Sequence, residues 1–162
     1  MEEAFALEFN VGERRTIGKQ IYWANTLFTD AERAFNEDCA KRLREVGHEV
    51  FLPQEALSNG EAKFSTRETF RVNTSAILNA PLVAVCLDQE NIDSNVACAV
   101  GLAFAFGVPM IGFYSDRQSG GVRCRTHETD FLVGALQSSG QIVTSFDDLL
   151  TVLSENASEF PE

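Results

Sequence analysis

Asp93-Ser-Asn-Val-Ala-Cys-Ala99-Val-Gly101-Leu-Ala-Phe-Ala-Phe-Gly107-Val-Pro109 is the stretch whose reading decides the fold. Asp and Ser are preferred where a helix begins. Small and apolar residues then fill the body of the helix, and Gly107 and Pro109 punctuate its end. An apolar run from Leu82 to Leu87 stands before it and ends in Asp88. Strand, loop and helix in that order form a single unit, and the rest of the chain repeats it.

Four other strand-like runs are Gln20 to Ala24, Glu49 to Leu52, Met110 to Tyr114 and Gln141 to Val143. Helical segments lie between them. Over residues 30–46, Phe35, Cys39, Leu43 and Val46 recur on one face, Thr29 or Asp30 caps the start, and Gly47 stops the helix. Over 66–79, Phe70, Asn73, Ile77 and Leu78 share a sector. A short helix is expected at 130–137, and a last one from Phe146 to about Asn156 with Ser145 as its cap. Strand alternating with helix over five units predicts an α/β protein. The expected form is a doubly wound, flavodoxin-like or Rossmann-like five-stranded parallel sheet with helices on both faces. Right-handed crossovers leave few topologies, and strand order 2-1-3-4-5 is the one expected. Its ligand crevice lies beyond strands 1 and 3, beside residues 24–28 and 88–95. Residues 1–18 read as an N-terminal arm or tail, 19–156 as one domain and 157–162 as a C-terminal tail.

Composition narrows the function. The chain has 162 residues and a formal net charge of −11. Such an acidic surface is repelled by phosphate backbones and anionic lipid, so no nucleic-acid and no membrane partner is expected. A local basic patch, such as Arg117, Arg123 and Arg125 around Gly120-Gly121, can still hold one phosphate. No apolar stretch reaches the roughly 18 residues of a membrane span. Met1-Glu-Glu-Ala-Phe carries acids where a signal peptide carries bases. Cys39, Cys86, Cys98 and Cys124 form no C-x-x-C pair, and they read as reduced core residues of a cytoplasmic protein. His48, expected to face solvent, and His127 lack partners at ligand spacing. No metal and no cofactor is expected.

Five features in order resemble the nucleoside 2-deoxyribosyltransferase family over roughly residues 20–145. They are Ile21-Tyr22-Trp-Ala24 with Leu27-Phe28; Phe51-Leu-Pro53-Gln54-Glu55; Asn73 to Asp88; Asp93 to Gly101; and Phe131-Leu-Val-Gly134-Ala135-Leu136 followed by Gln141-Ile-Val-Thr144-Ser145. The resemblance implies a carboxylate that attacks the deoxyribose anomeric carbon, forming a covalent glycosyl-enzyme as a retaining glycosidase does. It implies a second acid that manages the proton of the departing base, and an asparagine brought by a neighbouring subunit. The nucleophile stands two residues before a glycine. Here that glycine is Gly101, and the position is Ala99, which has no atom able to attack.

Other departures accompany that one. The base-side aspartate falls on Asn73. The neighbour's asparagine falls at Thr129, or beside Asp130 if the register is one residue off. The loop after strand 1 reads Asn25-Thr26, and the glycine after the acidic loop reads Asn95. Asp93 matches an acid that holds the sugar hydroxyls. Several losses together suggest a natural relative that has left transferase chemistry, more than an engineered nucleophile knock-out.

The expected ligand is a nucleoside or nucleotide, held by Tyr22, Phe28, Gln54, Asp88, Asp93 and Thr129. Each has a plainer role open to it. Tyr22 and Phe28 are equally suited to the core, Asp88 to a loop hydrogen bond, and Asp93 to a helix cap. Glu90 is a candidate replacement acid or a solvated loop residue. A non-catalytic partner of an active paralogue and an N-glycoside hydrolase acting on nucleotides are the rival functions. A homodimer or higher homo-oligomer is expected from the family's shared sites. It is expected too from the 94–106 helix, which is apolar or small on every face, with Val96, Val100, Leu102, Phe104 and Phe106.

Overall fold

The computed structural model describes residues 20–58, 64–89, 91–115 and 131–155. The arm at 1–18, Glu90, the arginine cluster, Cys124, His127, Thr129, Asp130 and the 157–162 tail lie outside them.

The elements run β1 (Gln20–Ala24), α1 (Asp30–Glu45), β2 (Glu49–Phe51), α2 (Pro53–Ser58), α3 (Thr66–Asn79), β3 (Val83–Cys86), α4 (Ser94–Ala105), β4 (Met110–Phe113), α5 (Phe131–Ser139), β5 (Gly140–Val143) and α6 (Phe146–Glu155). All pairings are parallel and the sheet order is β2-β1-β3-β4-β5. This is the expected α/β architecture and strand order.

The sheet separates two apolar layers because alternate strand residues point to opposite faces. Ile21, Trp23, Ala84, Cys86, Ile111 and Phe113 pack with Cys39, Ala40 and Leu43 of α1 and Phe146, Leu149 and Leu153 of α6. Trp23, Phe113 and Phe146 form an aromatic cluster there, with ring centroids 5.2 to 6.3 Å apart. Tyr22, Ala24, Val83, Val85 and Leu87 face the other way. They meet Ile77 of α3, Val96, Ala99, Val100 and Ala103 of α4, and Leu136 of α5.

Local chemistry sets the helix ends. Thr29 and Glu32 form a reciprocal capping box on α1, as Ser65 and Glu68 do on α3. The cap of α1 is therefore Thr29, not Asp30. Ser145 Oγ accepts from Asp148 N at 3.0 Å and caps α6. Helix α1 ends in a Schellman motif, in which Gly47 N donates to Arg44 O and His48 N to Leu43 O. Helix α4 ends the same way, with Gly107 N to Phe104 O and Val108 N to Ala103 O. Both glycines adopt positive φ, 97° and 66°.

Three expectations need correction. Helix α2 stands where only a strand exit was read, and β2 stops at Phe51. Cys39 and Cys86 are buried, but Cys98 is exposed, because it falls outside the buried stripe of α4 formed by Val96, Ala99, Val100 and Ala103. His48 is half-buried rather than solvent-facing, and that burial lowers its pKa. Among the described residues no helix is long and apolar enough to cross a membrane.

Candidate active site

Beyond the C-terminal end of β1, the sheet, α3 and α4 enclose a cavity of about 390 Å³. Residues 24–28 form one lip and Asp93 and Asn95 the other. This is the switch point, where chain connections leave β1 and β3 in opposite directions.

Tyr22 rises from β1 into the cavity wall. Its hydroxyl donates to Asn73 Oδ1 at 2.9 Å, and its ring stacks on Phe51 at 5.5 Å. Burial first, and the neighbouring Cys98 second, push the phenol pKa well above its ordinary value, so it stays neutral and donates. Asn73 Nδ2 donates to Thr69 O, one turn back on α3, at 2.9 Å. The Asn73 amide is thereby oriented with its oxygen toward Tyr22. Ala99 lies in the wall of the same cavity, 5% exposed. Cys98 stands beside it and also lines the cavity. Thr74 lines it too; its buried Oγ1 has no hydrogen-bond partner, a cost that a polar ligand atom or a water would relieve.

Asp93 caps α4 and lines the cavity at once. Its Oδ1 accepts from the Asn95 backbone N at 2.8 Å and from Asn95 Nδ2 at 2.9 Å. Capping and ligand contact are therefore compatible roles for it. Phe28 is no core residue: it lines the cavity and is 62% exposed, and Phe70 lines it too, at 43%. Tyr22 and Phe28 share the cavity, but Tyr22 spends its ring face on Phe51.

Two expected contacts are not in the lining. Gln54 is buried beneath the site. Its Nε2 donates to Arg33 O and Glu37 Oε1, and its Oε1 accepts from Asn36 Nδ2, all at 3.0 Å. Asp88 accepts from Ser115 N at 2.8 Å and from the Cys86 thiol at 3.5 Å, which ties the β3 exit to the β4 exit. Burial first, and the Asp88 carboxylate second, push the Cys86 thiol far up. Thr129 lies outside the described residues.

The sequence reading missed Thr74, Cys98, Asn36 and Gln89. Asn36 had a usable signal: it stands on the buried stripe of α1 with Cys39, Ala40 and Leu43, where an apolar residue is the rule. At 1% exposure it accepts from Trp23 Nε1 and donates to Thr26 O. Gln89 Oε1 accepts from Asp93 N at 2.7 Å. Among the described residues, no group of three or more His, Cys, Asp or Glu side chains is placed to hold a metal.

Comparison with known proteins agrees with the fold. A conserved protein of Enterococcus faecalis shares 24% identity and superposes with a TM-score of 0.71, covering 85% of this chain and 98% of that one. A 2-deoxyribosyltransferase from Bacillus psychrosaccharolyticus gives 0.59 at 18% identity, over 80% and 89% of the two chains. A CMP N-glycosidase from Clostridium botulinum gives 0.56 at 17%, over 84% and 98%. At these identities the likeness is one of fold. No sequence among curated proteins matches. The model of the nucleoside 2-deoxyribosyltransferase family matches residues 21–148; on that match the chain belongs to the nucleoside 2-deoxyribosyltransferase family.

Proposed function

We propose that this chain binds a nucleoside or nucleotide in the cavity and has lost deoxyribosyl transfer. Ala99 carries the reading. It lines the cavity at the position where the family places its attacking carboxylate, and a methyl group cannot form the glycosyl-enzyme bond. Asn73 replaces the acid beside the base, and a carboxamide does not ionise near neutral pH, so it cannot serve as a general acid or base. Asp93 holds the sugar hydroxyls, Tyr22 and Phe28 flank the ligand, and Thr129 comes from a neighbouring copy. Purified protein incubated with deoxyinosine and adenine should give no deoxyadenosine, while calorimetry with deoxyinosine should show binding. Exchange at about 1 per second, an ordinary turnover, would reject the loss of activity. Absence of binding would reject the ligand.

A second reading is N-glycoside hydrolysis, supported by the Asp93 carboxylate in the cavity lining. Release of free hypoxanthine without exchange, abolished by Asp93→Asn, would favour it.

A further inference from the structure

Beneath the cavity, side-chain amides from separate elements are joined end to end. Asp93 N donates to Gln89 Oε1 at 2.7 Å. Gln89 Nε2 donates to Asn25 Oδ1 at 3.1 Å, and Asn25 Nδ2 to Asn36 Oδ1 at 2.9 Å. Asn36 Nδ2 donates to Gln54 Oε1, and Gln54 Nε2 to Glu37 Oε1, both at 3.0 Å. The chain starts at the N-terminus of α4 in one lip of the cavity. It crosses the other lip at Asn25 and ends on an exposed carboxylate of α1.

Every amide donates in the same direction. Turning any one of them over would set oxygen against oxygen on one side and N–H against N–H on the other. The chain therefore holds one orientation as a whole, and each bond polarises the next. The carboxylate at its end is the strongest acceptor available. Gln89 links the two lips across the switch point, bonded to Asp93 on one side and to Asn25 on the other, and the sequence places an amide at each junction where a shorter or apolar residue would leave polar groups unpaired.

We propose that Gln89, Asn25 and Asn36 are positioning residues: a polarised amide relay, anchored on Glu37, that fixes the α4 N-terminus against the β1 loop and so sets the shape of the ligand cavity. The consequence for ligand affinity rests on the nucleoside-binding reading; the relay itself does not.

The test is nuclear magnetic resonance of the whole chain, with ¹⁵N-labelled wild type, Gln89→Leu, Gln89→Glu and Glu37→Ala. Gln89→Leu should speed hydrogen exchange of the Asp93 amide by about tenfold or more, as expected for a lost protecting bond. It should also shift the Asn36 side-chain amide, two junctions away. Glu37→Ala, at an exposed position, should shift the Asn25 and Gln89 amides in the same sense but less. Gln89→Glu supplies the signature that mere packing would not. Its carboxylate faces Asn25 Oδ1 and repels it, but once protonated it can donate to that oxygen while still accepting from Asp93 N. The Asn25 and Asn36 resonances should therefore return toward wild type as pH falls through the introduced carboxyl's pKa. Wild type measured in parallel corrects for titration of Asp88, Asp93 and Glu37. Shifts confined to the neighbours of each substitution, with no return at low pH, would overturn the relay. In calorimetry with deoxyinosine, Gln89→Leu should weaken binding roughly tenfold, the scale of one hydrogen bond. Wild type that fails to bind rejects the function and leaves the resonance outcome to decide the relay; wild type and Gln89→Leu binding equally well rejects the relay's effect on the cavity.

Discussion

Ala99 and Asn73 act on different steps of the family's chemistry, so restoring one does not restore the other. Ala99→Glu would place a carboxylate at a site 5% exposed. The phenol in the same cavity wall, Tyr22, already donates to Asn73 Oδ1. An underpartnered buried carboxylate costs about 1–3 kcal/mol or more, so the variant should melt at lower temperature, and base exchange should stay undetectable. Ala99→Glu with Asn73→Asp is the pair expected to regain measurable exchange; strong exchange from Ala99→Glu alone would show that Asn73 is no loss. Cys98 offers a second measurement on the same wall. Cys39 and Cys86 are buried and Cys98 is exposed. In native protein a maleimide should therefore modify Cys98 before Cys39 or Cys86, by peptide mass mapping, and deoxyinosine should slow that reaction. Equal rates with and without the nucleoside would mean that the ligand does not sit against α4. The sequence made Ala99 and Asp93 legible because motif spacing places them. It could not reveal Thr74, whose Oγ1 the fold leaves buried without a partner, or Gln89, whose amide reaches Asn25, 64 residues away along the chain.

At the scale of elements, capping chemistry and helical periodicity were readable, and the six residues of α2 were not. So short a segment cannot display a 3.6-residue period. Pro53 suits a first helical turn, but after a strand it reads equally as a turn. The same oversight misplaced Gln54: as part of a strand exit it points toward the ligand, whereas on α2 it turns down onto Asn36. Helix α2 is further tied to α1 by Arg44, whose two guanidinium nitrogens meet the two Glu55 oxygens at 2.9 and 2.7 Å. That hydrogen bonding holds the Glu55 carboxyl below its ordinary pKa. A group depressed on folding stabilises above its unfolded value, near 4.3, and loses that contribution as pH falls through the lower folded value. Both side chains are about 40% exposed, so solvent screening keeps the contribution under ~1 kcal/mol. Glu55→Gln should lower the melting temperature slightly at pH 7 and make no difference near pH 2. An equal loss at both pH values would assign the effect to packing. Gly107→Ala should cost about 1 kcal/mol by chemical denaturation, because alanine disfavours the positive φ that ends α4.

For the whole molecule, alternation of strands and helices together with the handedness of crossovers was enough to order the sheet. The fold then brings Tyr22, Asn73, Asp93 and Ala99 around one cavity from three segments of the chain. What pattern alone could not decide is how the outer face of α4 is covered. Val96, Ala99, Val100 and Ala103 are buried against the sheet, but Ala97, Cys98, Gly101, Phe104 and Ala105 are exposed. Phe104 is 50% exposed on this otherwise small-residue surface. A face with no charged side chain and one prominent ring suits close approach of another helix better than it suits water. On a twofold mate the same surface would be self-complementary, with each Phe104 over the small residues of the other copy. That arrangement would also bring a neighbour's residues to the cavity edge, because Cys98 belongs to both the exposed face and the lining. Light scattering at micromolar concentration should then give at least twice the chain mass of 17.9 kDa. Phe104→Asp should return the mass to that of one chain while circular dichroism keeps its α/β signature, because the side chain lies outside both core layers. A wild-type mass near that of a single chain would reject the assembly. A multimer that survives Phe104→Asp would move the interface to another surface.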